Sequence, residues 1–333
     1  MRWRLALAAG LLAIVAASLW LERPWQHSPG AGQPTSCRLP VYLVTSNSGG
    51  FLAVPGYTFT EVPKNTFMGS AKAADHYWGY NASSARWLPV DHRMISLDGN
   101  WWVYATPQEP STSKSAAVHL VDRHGSERTV WTGNGRAFPL GWTTEGAVFA
   151  YLGPAPRYET GYRLVDPVTG TVRSLATPPG DPVGVDSSGL WSTGEKLAGT
   201  EPDKAPHATL LRTSIGSGST VTWLDQVSLA IIIVLGFDQD QRPILGLVST
   251  NGDPERYVLL TSPNTPTAIS SDAQAVGFLP ATALGDSSGV WFGDAHGAVW
   301  LWNARQGLQP VAQLSTHSTD VVSDVAVIAG PCR

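Results

Sequence analysis

The sequence predicts an all-β fold, a six-bladed β-propeller behind an N-terminal apolar helix. Three observations predict it: a strand, glycine turn, strand unit that recurs along the chain, a composition suited to many short strands, and a cysteine near each end of the repeat region. The 333 residues are long for one compact core, but blades add area without needing a second one. Charged residues make up 14%, against about 25% in an average soluble protein, while Gly (34), Pro (25) and Trp (14) are plentiful.

The first element is the segment 1–21. Arg2 and Arg4 precede Leu5 to Leu21, a charge-free run of about 17 residues, the pattern of an export signal. Ala16-Ala17-Ser18 offers a cleavage point, whereas a retained anchor needs only length and cytoplasmic Arg. The anchor is the favoured reading, which puts the chain at the cell membrane as a single-pass protein with its domain outside the cytoplasm. Secretion after cleavage is the alternative. Residues 22–36, rich in Pro, Gly and Gln, read as a flexible linker, and the propeller domain spans 37–333.

Cys37 and Cys332 are the two cysteines, and export places both in an oxidising compartment. A disulfide is the simplest reading. Closing a loop of nearly the whole domain is worth up to about 5 kcal/mol.

Six hairpin units carry the fold argument. The first three begin Val41-Tyr-Leu-Val-Thr45, Val118-His-Leu-Val-Asp122 and Tyr162-Arg-Leu-Val-Asp166. The later three begin Leu210-Leu-Arg-Thr213, Leu245-Gly-Leu-Val-Ser249 and Val299-Trp-Leu-Trp-Asn303. Each is followed by a turn with Gly, which supplies the positive φ of a tight hairpin, and then by a second strand. Apart from one longer gap after the first, they recur every 45 residues or so, about the length of a propeller blade.

A second signature runs a turn into an aromatic strand: Asp98-Gly-Asn-Trp101, Glu145-Gly-Ala-Val-Phe149, Asp186-Ser-Ser-Gly-Leu-Trp191 and Asp286-Ser-Ser-Gly-Val-Trp291. These are expected between the first and second strands of a blade, with the rings packed between neighbours. On these repeats the chain resembles exported bacterial propellers related to the WD40 and TolB-type families, at the level of architecture and over residues 37–333. The Gly-His and Trp-Asp pairs of WD40 blades are absent, as is the Ser-x-Asp-x-Gly-x-Thr-Trp box of sialidase-like propellers.

Ring closure is expected from the ends. Val325 to Gly330 reads as the inner strands of a blade and Arg38 to Pro55 as its outer hairpin, so a Cys37–Cys332 bond lies across the seam. Tyr57 to Arg86 reads as a long loop, with a seventh blade as the alternative. Its cluster Asp75, His76, Tyr77, Trp78 and Tyr80 is the candidate ligand contact, against simple packing of the rings on the propeller.

Chemistry motifs are scarce. The eight histidines show no metal-ligand spacing, and no Gly-x-Ser-x-Gly elbow is present. Asp91-His92 and Asp122 with His124 place a carboxylate near an imidazole, a pattern more often solvated than catalytic. Gly216-Ser-Gly218 and Gly293-Asp-Ala-His-Gly297 read as hairpin turns, and Leu229 to Phe237 as a fully buried strand. No catalytic residue, metal or cofactor is expected. A net charge of −4 without a basic run argues against nucleic acid. The function expected is a non-catalytic binding or scaffolding module at the cell envelope, holding a protein, glycan or small ligand. The alternative is an exported propeller hydrolase, lyase or lactonase with its site at the channel mouth.

Overall fold

The computed structural model describes residues 36–67, 77–106, 115–154, 160–196, 207–227, 229–249, 256–270, 278–314 and 324–333. The segments 1–21 and 22–36, up to Thr35, lie outside them. The described residues contain no helix long and apolar enough to cross a membrane.

Antiparallel sheets follow one another along the chain. Sheet A joins β1 (Cys37–Leu43), β2 (Ser48–Val54) and β3 (Phe59–Glu61) to the last strand, β25 (Ala326–Ile328). Sheet B is a pair of three-residue strands, β4 (Gly79–Asn81) and β5 (Arg86–Leu88), and sheet C has β6 (Trp101–Thr106), β7 (Ser115–Asp122) and β8 (Glu127–Asn134). Four-stranded sheets complete the series. Sheet D runs from β9 (Arg136–Thr143) through β10 (Gly146–Leu152) and β11 (Thr160–Val165) to β12 (Val172–Leu175). Sheet E holds β13 (Asp181–Val185), β14 (Gly189–Lys196), β15 (His207–Ser214) and β16 (Thr220–Val227). Sheet F holds β17 (Leu229–Phe237), β18 (Pro243–Ser249), β19 (Arg256–Ser262) and β20 (Thr265–Ala268). Sheet G holds β21 (Pro280–Asp286), β22 (Gly289–Asp294), β23 (Ala298–Asn303) and β24 (Gly307–Gln313).

The core is divided among the junctions between sheets. Val118 and Leu120 of sheet C meet Phe149 of sheet D, and Val148 and Tyr162 of D meet Leu190 of E. Trp191 and Leu210 of E meet Leu245 and Leu260 of F, and Ile244 and Leu259 of F meet Phe292 of G. Trp291 and Leu301 of G then meet Leu39 and Leu52 of A. The small sheet B returns the series to its start: Trp87 packs on Tyr42 and Val327 of sheet A, and Leu88 on Trp102 and Val121 of sheet C. Every sheet therefore has a neighbour on both faces, and the cycle is closed.

Close approach between adjacent sheets depends on glycine. A Cβ on Gly236 would stand 1.9 Å from the Ala283 carbonyl oxygen, and one on Gly293 2.2 Å from that of Ala326. Such contacts are far inside van der Waals distance, so only glycine lets adjacent sheets meet there.

The twin Asp-Ser-Ser-Gly motifs occupy the expected place between first and second strands. In both, the aspartate Oδ1 accepts the N–H of the second Ser, at 2.8 Å for Ser188 and 2.7 Å for Ser288. In both, Oδ2 accepts the indole N–H five residues on, at 2.8 Å. The motif thus closes its own turn and satisfies the polar atom of a fully buried Trp.

The seam differs from expectation in its division of strands. The tail supplies one strand and the N-terminal part three, because Val325 to Gly330 runs straight along β1 without a turn. Val41 pairs with Ile328, and Arg38 N–H reaches the Arg333 carbonyl at 2.7 Å. The Cys37–Cys332 disulfide stands across this pairing, with Cα atoms 5.5 Å apart. Cys332 therefore follows the first strand of sheet A, and Cys37 begins the second.

Two further readings are corrected. Leu229 to Phe237 is the first strand of sheet F and thus an edge: Ile232 is buried, whereas Ile231 and Ile233 are 54% and 42% exposed. The six hairpins also differ in phase. They are the last two strands of sheets C, D, E and G, but the central two of four in A and F.

Candidate binding cleft

The stretch between β3 and β6, expected as a loop, is partly a sheet. Asn81 fixes the turn from β4 to β5: its Nδ2 donates to the Gly99 carbonyl at 2.7 Å, and its Oδ1 accepts the Ser83 N–H at 3.0 Å. Trp87 on β5 is then driven inward, where it stacks on Phe67 (5.4 Å between centroids) and tilts against Tyr80 (5.4 Å) and Phe51 (6.0 Å).

Three residues of the candidate ligand contact join this cluster. Trp78 meets Phe67 edge to face at 4.8 Å, Tyr80 meets Phe51 at 4.9 Å, and Tyr77 packs at its margin. Asp75 and His76 lie outside the described residues.

Because strands β4 and β5 are only three residues long, sheet B covers only part of the sheet C face beside it. Leu88 and Val90 pack on Trp102, Tyr104 and Val121. Beside this contact lies an open cavity of 320 Å³. Arg86 and Leu88 line it from sheet B, and Trp102, Val121, Asp122 and Glu127 from sheet C.

The polar wall is anchored within sheet C. Trp102 stacks on Tyr104 at 5.4 Å, and Tyr104 on His119 at 4.6 Å. His119 Nδ1 lies 3.2 Å from Glu127 Oε1, and its Nε2 lies 2.9 Å from the Thr106 hydroxyl. A carboxylate only accepts, so the network assigns the proton to Nδ1 and lets Nε2 accept from Thr106. Burial lowers the His119 pKa against the pull of Glu127, which keeps the ring neutral at pH 7. Burial, a hydrogen bond to Glu127 and its charge push the Tyr104 phenol well above its ordinary range. Asp122 Oδ1 holds the β7–β8 turn by accepting the N–H groups of His124 and Ser126 at 2.8 and 2.9 Å. These backbone hydrogen bonds lower its pKa.

Neither carboxylate–imidazole neighbour pair forms a catalytic contact. Asp122 takes the backbone of His124, whose ring Nε2 instead accepts from Arg123 at 3.1 Å. Asp91 binds Arg93 at 3.0 Å. Burial raises the Asp91 pKa, but the charge and hydrogen bonds of Arg93 outweigh it and bring it below the ordinary carboxylate value. Burial lowers the His92 pKa, and its Nδ1 has no partner among the described residues.

A second cavity, of 440 Å³, lies among the turns of sheets C and D and is lined by Trp101, Asp98, Glu145 and Asp166. Its carboxylates already have partners: Ser96 and Asn100 for Asp98, Arg173 for Glu145, and the Val168 and Thr169 N–H groups for Asp166. Gly216-Ser-Gly218 and Asp294-Ala-His-Gly297 are hairpin turns, the latter closed by Asp294, which also accepts the Trp300 indole N–H at 2.8 Å. Among the described residues no three His, Cys, Asp or Glu side chains converge as a metal site.

The cavity left few marks in the sequence. Arg86 and Glu127 belong to no motif, and the space between them arises from what sheet B lacks.

No protein-family model matches the chain, and no curated protein matches it by sequence. Solved structures do. The β-propeller domain of the Trilobed protease from Pyrococcus furiosus aligns with TM-score 0.50 and 12% identity, over 84% of this chain and 86% of that one. A putative TolB from Agrobacterium tumefaciens aligns with TM-score 0.43 and 12% identity, over 70% of this chain and 88% of that one. Acylaminoacyl peptidase from Pyrococcus horikoshii aligns with TM-score 0.46 and 11% identity, and the chain covers 46% of its length. The shared property is the β-propeller fold.

Proposed function

We propose that this β-propeller is a non-catalytic binding module on the outer side of a cell membrane. In this reading residues 1–21 anchor it, 22–36 form the linker, and 37–333 build six blades (sheets A, D, E, F and G with four strands and C with three) with sheet B as a rudimentary seventh sector. The cleft beside sheet B carries the functional reading. Its floor is apolar, its polar groups converge from two sheets, and it opens where the cycle is thinnest, as small-molecule sites commonly do. The carboxylates of its wall have structural partners, with Glu127 bound to His119 and Asp122 to the β7–β8 turn, which suits holding a ligand better than transferring a proton. A disulfide supports an oxidising compartment.

The reading is tested on full-length protein with its disulfide intact, by thermal shift against small organic acids, glycans and divalent cations, followed by product analysis for every hit. A stabilising ligand recovered unchanged is the expected result. Turnover of a bound glycan or ester would favour the hydrolase or lyase alternative instead. Peptide mapping of envelope material, expected to recover residues 1–21 with the protein, tests the anchor.

A further inference from the structure

We propose that the cleft between sheets B and C takes a small amphipathic monocarboxylate, with Arg86 as the anion anchor and Leu88, Trp102 and Val121 as the apolar floor. The inference rests on the binding-module reading and names its ligand class.

Among the half-buried arginines described, Arg86 is set apart by the lack of a partner for its side chain. Arg93, Arg212 and Arg242 are bound to carboxylates, Arg163 to Ser174 and Arg128 to backbone carbonyls. Arg86 is half-buried and lines the cavity, yet no hydrogen bond or ion pair engages its guanidinium among the described residues. A guanidinium carries five donors in a planar fork that fits a carboxylate in two-point fashion. Its donors face the cleft without a protein acceptor, so an anion arriving there has only water to displace.

The surroundings select among anions. Arg86 and Arg123 bring two positive charges to the cleft, while Asp122 and Glu127 bring two negative ones. Local charge is balanced, so a dianion such as a phosphate monoester is repelled by the far wall, whereas a single carboxylate on Arg86 is tolerated. Beside the anchor, the margins of Leu88, Trp102 and Val121 offer carbon surface. At 320 Å³ the space is near the lower end of the range for small-molecule sites, about 300–1,000 Å³. One ring on a short acid arm fits that volume, and an oligosaccharide does not.

Isothermal titration of the full chain with 3-phenylpropionate, its amide and phenyl phosphate tests the assignment. The acid is expected to bind saturably, one per chain, and the amide and the phosphate at least about tenfold more weakly. Arg86→Gln should bring the acid down to the level of the amide, and Arg86→Lys should restore part of the difference. Circular dichroism and melting of both variants are expected to match the parent. Equal binding of acid and amide, binding of the acid unaffected by Arg86→Gln, or no saturable binding of the acid would each overturn the proposal. If the acid fails while a glycan binds unchanged, the ligand class falls and the binding-module reading stands. If the acid binds and is converted, the binding-module reading falls.

Discussion

Sheet E and sheet B both fill a place between two neighbours, and they do so by different means. Sheet E uses four strands and a buried Trp191, whose indole is satisfied by Asp186, an aspartate that also holds Arg212 through bonds of 2.6 and 2.8 Å. Sheet B uses two short strands and fills the remaining inner volume with the rings of Phe51, Phe67, Trp78, Tyr80 and Trp87. Four strands cover a neighbour along its full width. A minimal hairpin with aromatic filling covers only part of it, and the uncovered part is the cleft.

The largest expected effects probe the joints of this cycle. Trp87→Ala should cost about 3–5 kcal/mol by urea titration, as a large buried ring does elsewhere, because sheet B has no further strand to compensate. Trp78→Ala, at the margin of the same cluster, should cost about 1–2 kcal/mol. Similar losses would mean that the cluster does not wedge the sector from within. Cys332→Ser should lower stability by about 2–5 kcal/mol, since the seam then rests on the pairing of β25 with β1 and its packing, without a covalent link. An unchanged melting temperature would show that the seam closes without the disulfide.

The twin motifs sharpen the comparison further. Asp186→Asn leaves Arg212, 26% exposed at the side chain, without its counter-charge and should cost about 2–3 kcal/mol after allowing for that exposure. The matching Asp286 spends its remaining capacity on the Cys332 N–H at 3.0 Å, so Asp286→Asn should cost about 1 kcal/mol. A reversed order would contradict the roles assigned to the second oxygen.

Burial sets the pH dependence of the histidines, and bonded partners that of the carboxylates. His92 and His119 have lowered pKa values, so as pH falls below about 6.5 the unfolded chain binds protons that the folded protein resists, and stability declines. The carboxylates lowered by their partners, Asp91, Asp98, Asp122 and Asp166, add their loss below about pH 3.8. His119→Gln should reduce the first decline and leave the second in place, read from melting temperature against pH. Smallest of all, Arg86→Gln should change stability by less than about 0.5 kcal/mol.

Alternation and glycine turns made the hairpins legible in the sequence, and the cysteine positions made the seam legible. Phase was not legible, because strand, turn, strand looks the same at every hairpin of an antiparallel sheet. Leu245 to Leu260 and Leu210 to Leu224 therefore read alike, although one hairpin is central and the other outer. Sheet B escaped notice for a different reason: three-residue strands show no period, and the contacts of Trp87 with Phe51 and Phe67 join residues distant in sequence. Arg86 carries its meaning only through the absence of a partner, which no local pattern records.

The central claim is that the ligand site lies beside sheet B and does no chemistry. Hydrogen–deuterium exchange of the full chain, with and without a saturating ligand from the thermal-shift screen, tests it most directly. Protection confined to residues 84–88 and 121–127, with the ligand recovered intact, is the expected result. Protection centred on Asp91 to Arg93 instead, or recovery of a reaction product, would contradict it.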